Sequence, residues 1–321
     1  MPELRSDIYF LKKQDKASIY IKREDLLPFS FGGNKVRIAA ELFEDARKKG
    51  CDYMISYGSP ASNLNRVVSQ MASASGMPCA VICKKAAESK ERHFNELMVR
   101  ASGARLVFCE RENVRETVEA EMKHALSLGH KPYYVYGNAL GMGNEAVALR
   151  AYEKAFSEIM EFERRENISF SRIFTATGTG MTQAGLISRC LRSNREDIVT
   201  GISVSRTASQ AKAEIKRLLE AVGYSGEDIP EPEVRDEYLS GGYGKYGPET
   251  KACVKELINS FGIPSDPCYS AKAFVGMKEE IKKRGITGAV LFLHTGGTPG
   301  FFDCALSGAE GSLWHEGRDQ R

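Results

Sequence analysis

The stretch RIFTATGTGMTQAGL, residues 172–186, decides the class of fold. It begins as a short apolar run, breaks at Gly178 and Gly180, and continues into a helix. A strand that turns through glycines straight into a helix is half of a βαβ unit. Outward from it the same alternation recurs. Strands are expected at residues 18–22 (SIYIK), 53–56 (YMIS), 79–82 (CAVI), 105–108 (RLVF), 133–136, 199–204 and 289–293. Between them lie amphipathic stretches such as 36–48 and 145–164. The class is therefore α/β, with parallel sheets covered on both faces.

Residues 53–136 read as a compact βαβαβαβ block behind the helix that opens near residue 34, while the glycine-rich loops lie before and after it. This predicts a small α/β domain, 36–136, inserted into a larger one made of 1–35 and 137–321, with a ligand cleft between them. The polar tail after Gly308 is expected to fray, docked by Trp314.

With 321 residues, 42% of them hydrophobic, the chain can bury a large core. Its 45 basic and 42 acidic residues interleave to a net charge of +3, which argues against nucleic acid or an anionic membrane as partner. The one dense basic patch, CKKAAESKER at 83–92, contains acids and reads as a solvated helix start. The N-terminal stretch is charged throughout, without the apolar core of a secretory signal, and the longest apolar run, 289–293, is too short to span a bilayer. Eight cysteines stand singly with no CxxC pair, and the five histidines do not cluster with them. Free thiols in the cytoplasm are expected, with neither zinc nor a disulfide framework.

Four loops carry chemistry-bearing residues. In FGGNK, 31–35, two glycines allow a tight turn, Asn34 is read as the helix cap, and Lys35 follows in the first turn. The positive end of the helix dipole disfavours an ammonium there, which suits a lysine that must act as a neutral amine. A solvated lysine after a turn is the alternative at this point. The turn at 175–186 exposes successive N–H groups at a helix start, as a phosphate requires. It lacks the GK[ST] of a Walker loop, and Gln183 stands where a dinucleotide fingerprint has its third glycine. Arg206, after the next strand, keeps an NADP site open as a rival. HTGGTPG, 294–300, lies at the carboxyl end of a strand, where open α/β sheets bind ligands. GSPASNLNR, 58–66, offers Ser62 and Asn63 as helix caps or as anion ligands. Tyr243 in GGYGKYG and Tyr269 in DPCYSAKA supply phenols.

Taken in order, KREDLLPFSFGGNKVR, SNLNR, TGTGMTQAGL, GISVSR, GGYG, DPCYSAKAFVGM and HTGGTPGFF resemble the D-cysteine desulfhydrase and 1-aminocyclopropane-1-carboxylate deaminase group. The resemblance runs from about Ile19 to Phe302. It implies a tryptophan-synthase-β-like, fold-type-II enzyme: two open, twisted, mostly parallel sheets flanked by helices, usually in a homodimer, using pyridoxal 5'-phosphate on a small amino-acid substrate. Lys35 matches the Schiff-base lysine, with Asn34 beside it in the cofactor site. Asn63 matches the residue at the cofactor's ring hydroxyl, and Ser62 a serine implicated in proton transfer near the substrate carboxylate. Thr179, Gly180, Met181 and Thr182 match the phosphate turn. Tyr269 matches the tyrosine against the ring, Tyr243 a second active-site tyrosine, and Thr295 the hydroxyl near the pyridine nitrogen.

The resemblance implies α-proton abstraction and β-elimination, giving an α-keto acid, ammonia and the leaving group. Other outcomes of the same cofactor are β-replacement, racemisation, or binding without catalysis. Three positions depart from the family. Ala61 and Leu64 flank Ser62-Asn63 where Gln and His are usual, Ser270 stands where the deaminases carry a glutamate, and Tyr246 replaces a proline.

Overall fold

The computed structural model describes residues 3–59, 61–84, 93–195 and 198–306. In chain order the first half forms β1 (Ile8–Gln14), β2 (Ala17–Arg23), α1 (Asn34–Lys48), β3 (Tyr53–Gly58), α2 (Asn63–Ala74), β4 (Cys79–Lys84), α3 (Phe94–Ala101), β5 (Arg105–Cys109), α4 (Val114–Ser127) and β6 (Pro132–Tyr134). The second half adds α5 (Glu145–Glu166), β7 (Phe170–Thr177), α6 (Met181–Arg192), β8 (Val199–Ser203), α7 (Ala208–Glu220) and β9 (Glu233–Arg235). It closes with α8 (Pro248–Phe261), α9 (Ser270–Arg284), β10 (Gly288–His294) and α10 (Thr298–Leu306).

Two compact units result, one of residues 1–34 and 152–321, the other of 35–151. The larger is built on a sheet in the order β1-β2-β10-β7-β8-β9, parallel except where β1 meets β2. Strand β10 is central, and Val290, Leu291, Phe292 and Leu293 are all fully buried, so both faces of the sheet are covered. Phe292 crosses Phe274 of α9 edge to face with centroids 5.0 Å apart, and each such ring contributes about 1.5–3 kcal/mol by burial. The carboxyl ends of β2, β7 and β10 lead into the loops at 24–33, 178–180 and 295–297.

The smaller unit holds the sheet β5-β4-β3-β6, parallel throughout and connected as βαβαβαβ. The sequence reading returns the chain to the larger unit at residue 137, but residues 137–151 stay with the smaller one. Asn144 explains this, donating from Nδ2 to the Tyr134 carbonyl at 3.0 Å, and Arg150 pairs with Glu41 of α1 at 3.5 Å.

All eight expected strands are present, with β6 ending at Tyr134 rather than Tyr136. Strands β1 and β9 are additions, both at sheet edges. Cys83 and Lys84 end β4 instead of starting a helix, and the rest of that basic patch lies outside the described residues, as does Trp314. Among the described residues no helix is long and apolar enough to cross a membrane, and no cluster of three His, Cys, Asp or Glu is placed to hold a metal ion.

Candidate active site

The turn between β7 and α6 is set by glycine. Gly180 has φ +83° and directly precedes α6, whose first N–H groups lack intrahelical acceptors. Below the turn, Gln183 is fully buried. It accepts from Thr177 Oγ1 at 2.7 Å and donates to the Glu233 carbonyl at 2.8 Å. Gly201 on β8 makes room for it, since a Cβ there would overlap Gln183 Oε1. Gln183, the residue that spoils a dinucleotide fingerprint, is thus a plug that fastens the turn to the sheet. Arg206 donates from Nη1 to the Gly178 carbonyl at 2.9 Å, bracing the same turn.

The FGGNK loop joins this turn within the larger unit. Asn34, expected as a cap, is the first residue of α1, and its side-chain amide donates to Thr182 Oγ1 at 3.1 Å. Its main-chain N–H donates to the Thr295 carbonyl at 2.9 Å. The preceding residues Ser30, Phe31, Gly32 and Gly33 all have positive φ (47°, 57°, 59° and 97°), a strained run that costs about 1–2 kcal/mol at each non-glycine. Gly33 and Gly296 lie back to back, and a Cβ on Gly296 would sit 2.5 Å from Gly33 Cα. Both loops therefore require glycine for the approach that places Thr295 beside Asn34.

Beneath Thr295, His294 Nε2 meets Ser265 Oγ at 2.8 Å, and His294 Nδ1 lies 3.3 Å from Asp25. Arg23 holds Asp25 through two bonds of 2.8 and 2.7 Å. Burial alone would raise the Asp25 pKa, but His294 and Arg23 outweigh it and hold the carboxyl well below the usual carboxylate range.

Tyr243 and Tyr269 meet hydroxyl to hydroxyl at 2.6 Å, with ring centroids 5.9 Å apart. Desolvation raises both phenols, Tyr269 well above its ordinary value, so both stay protonated at neutral pH. A Cβ on Gly178 would lie 3.8 Å from the Tyr269 ring, so the phosphate turn and the tyrosine are neighbours. The buried Asp266 accepts from the N–H groups of Cys268, Tyr269 and Ser270 and from Ser270 Oγ at 2.7 Å. Asp266 thus anchors both Tyr269 and Ser270, and position 270 itself carries a hydroxyl and not a carboxylate. One turn on, Lys272 is 1% exposed and donates from Nζ to the carbonyls of Leu239 and Gly242 at 2.9 and 3.2 Å, tying down the loop that carries Tyr243. Tyr246 packs against the core with its hydroxyl 3.5 Å from Cys304 Sγ.

The larger unit therefore gathers Asn34, Thr179, Gly180, Met181, Thr182, Tyr243, Tyr269 and Thr295 into one contiguous cluster. Lys35 is bonded to Asn34 and heads the smaller unit. It is half-buried, and the protein around its chain strips enough hydration from the ammonium to bring its pKa down to about 8. Desolvation is the sole cause, and among the described residues no carboxylate offsets it.

Ser62 and Asn63 stand together at the start of α2, with Ser62 as the cap, accepting from Asn65 N–H at 3.3 Å. Leu64 is buried. Asn95 Nδ2 donates to the Ala61 carbonyl at 2.7 Å and to Asn63 Oδ1 at 3.0 Å. Gln183, Arg206, Lys272 and Asn95 were not foreseen in these roles, because each acts through a partner distant in sequence.

The larger unit thus carries a glycine turn at a helix start suited to a phosphate, and the smaller unit opens with a lysine of lowered pKa. The family model described as "Pyridoxal-phosphate dependent enzyme" matches residues 7–296, and the chain belongs to that family. D-cysteine desulfhydrase of Serratia proteamaculans (strain 568) is 29% identical over 293 residues, 88% of each chain. D-cysteine desulfhydrase of Klebsiella pneumoniae (strain 342) is likewise 29% identical with the same coverage. The solved structure of an "ACC deaminase homologue" superimposes with a TM-score of 0.77 at 29% identity, covering 93% of this chain and 91% of that one. The protein is a pyridoxal-phosphate-dependent enzyme of fold type II.

The residues present fit the cofactor. The Gly178 to Thr182 turn, free of side-chain bulk at its two glycines, suits the phosphate, and Lys35 supplies an amine that gives up its proton far more readily than an ordinary lysine.

Proposed function

We propose that the chain is a lyase and deaminase that removes the β-substituent of a small amino acid, D-cysteine being the first substrate to test. With D-cysteine and water the products are pyruvate, hydrogen sulfide and ammonia. Bound pyridoxal phosphate supplies the electron sink that lets the α-proton leave.

The observation that carries this reading is the occupation of the buried carboxylates in the cluster. Asp266 is filled by three main-chain N–H groups and Ser270, and Asp25 by Arg23. A neutral Thr295 hydroxyl is then what the cluster offers a ring nitrogen. A ring without a carboxylate partner is a weak electron sink, and departure of a good leaving group then helps drive loss of the α-proton. Lys35, with its pKa near 8, and the hydroxyl of Ser62 are the groups we assign to move that proton. The protonated Tyr243–Tyr269 pair is suited to donate to a departing thiolate or a substrate carboxylate.

The NADP reading loses its supports. Arg206 is engaged with Gly178, and Gln183 plugs the position that a dinucleotide needs open. We further infer a cytoplasmic homodimer, with neither nucleic acid nor membrane as partner. Eight free thiols and a near-neutral charge support the first part, and the family resemblance supports the dimer. Light scattering at twice the chain mass checks it.

The test of function is to feed the cofactor-loaded protein D-cysteine and L-cysteine and to follow pyruvate, with Lys35→Ala as control. Pyruvate from the D-isomer, lost in the variant, is the expected result. A thiol adduct in place of pyruvate would move the assignment to β-replacement, and recovery of the opposite isomer to racemisation.

A further inference from the structure

Asn63 is partly buried at the first position of α2, whereas Asn95, near the start of α3, is 3% exposed. The Asn95 amide nitrogen reaches two acceptors on either side of Ser62: the Ala61 carbonyl at 2.7 Å and Asn63 Oδ1 at 3.0 Å. Arg66, one turn into α2 and 1% exposed, adds Nη2 to the same Asn63 oxygen at 3.4 Å. A carboxamide carries its acceptor at one end and its two donor hydrogens at the other. With its oxygen taken from inside by two buried donors, Asn63 turns its Nδ2 group outward. If the amide were reversed, its N–H hydrogens would face the N–H hydrogens of Asn95 and Arg66, donor against donor.

We propose that Asn95 is a positioning residue that fixes the amide orientation of Asn63, so that a donor, and not a carbonyl, meets the ring oxygen of bound pyridoxal phosphate. This rests on the placement of Asn63 in the cofactor site. A donor at that oxygen favours its deprotonated form, so the orientation of one amide tunes the protonation of the cofactor as well as its affinity. Because the second Asn95 bond goes to Ala61, the residue also sets where the Ser62 hydroxyl sits.

A double-mutant cycle tests the proposal, using Asn95→Ala, Asn63→Ala and the double variant of the full chain. Two quantities are read: the Kd of the apoprotein for pyridoxal phosphate, and the pH midpoint of the bound cofactor's visible absorbance. In the native background Asn95→Ala is expected to raise the Kd roughly tenfold and to move the midpoint upward. In the Asn63→Ala background the same change should alter the Kd less than twofold and leave the midpoint in place. A merely structural Asn95 would give equal effects in both backgrounds, which overturns the proposal, as does an unchanged midpoint in the native background. Failure of the native chain to bind the cofactor would instead overturn the placement of the site. Where Asn95→Ala yields little folded protein, Asn95→Ser, which keeps one donor, is read in the same cycle against the same two limits.

Discussion

The turn before α6 and the start of α2 are both helix N-termini that offer donors, yet they are secured by different means. At α6 the main chain itself is the device. Gly180 supplies a left-handed turn, Gly201 leaves room for Gln183, and Arg206 and Asn34 tie the turn to loops on either side. At α2 the device is a side-chain amide, Asn63, whose orientation depends on Asn95 and Arg66. The first arrangement binds any group with the charge and size of a phosphate, because backbone N–H groups do not discriminate further. The second can tune a protonation state. An anchor built from backbone and a chemical handle built from a carboxamide respond differently to mutation, and that difference can be broken experimentally.

The largest effect is expected at the anchor. Gly201→Ala should overlap Gln183 and Thr177, costing about 3 kcal/mol in urea unfolding and weakening cofactor binding through the displaced turn. If both stay unchanged, the plug is not what holds the turn. Next, Lys272→Met frees the loop that carries Tyr243 without touching the phosphate turn. Turnover should fall roughly tenfold while the cofactor Kd stays within twofold, and a parallel loss of both would remove the distinction between anchor and chemistry.

Lys35 provides a test through pH. Its folded pKa of about 8 lies below the ordinary 10.5, so the unfolded chain binds the extra proton between those values and stability rises with pH across that window. The cost of the buried ammonium is fully present below pH 8. Lys35→Met in the apoprotein should therefore gain about 1 kcal/mol at pH 7, a gain that shrinks as pH rises toward 10.5. Thermal unfolding at several pH values measures it, and a loss of stability at pH 7 would contradict the desolvation. The smallest effect belongs to Arg206→Ala, which removes one brace from the α6 turn. A rise in cofactor Kd of about threefold, with no NADPH binding in either protein, is the expected titration result.

Much of this was legible in the sequence because it is local. The glycine spacing at 178–180 and the lysine after two glycines at 35 each announce themselves within a few residues, and the fully buried strands read as continuous apolar runs. The two edge strands of the larger sheet did not. β1 (IYFLKKQ) ends in three consecutive polar residues, which break the apolar run, and β9 has only three residues close to Pro230 and Pro232. Asn34 looked like a cap because asparagine commonly is one, and only the tertiary contact with Thr182 shows its use. Asn95 and Lys272 carry no local signal, since their roles depend on partners brought close by folding: Asn63 and Leu239.

The central claim is that Lys35 carries the cofactor, and the most direct test is chemical. The loaded protein is reduced with borohydride, digested, and the peptide bearing the pyridoxyl group is sequenced. The account predicts the label on Lys35, in the peptide that contains FGGNK, with Lys35→Ala unlabelled. A label on any other lysine, or full labelling of the variant, would contradict it.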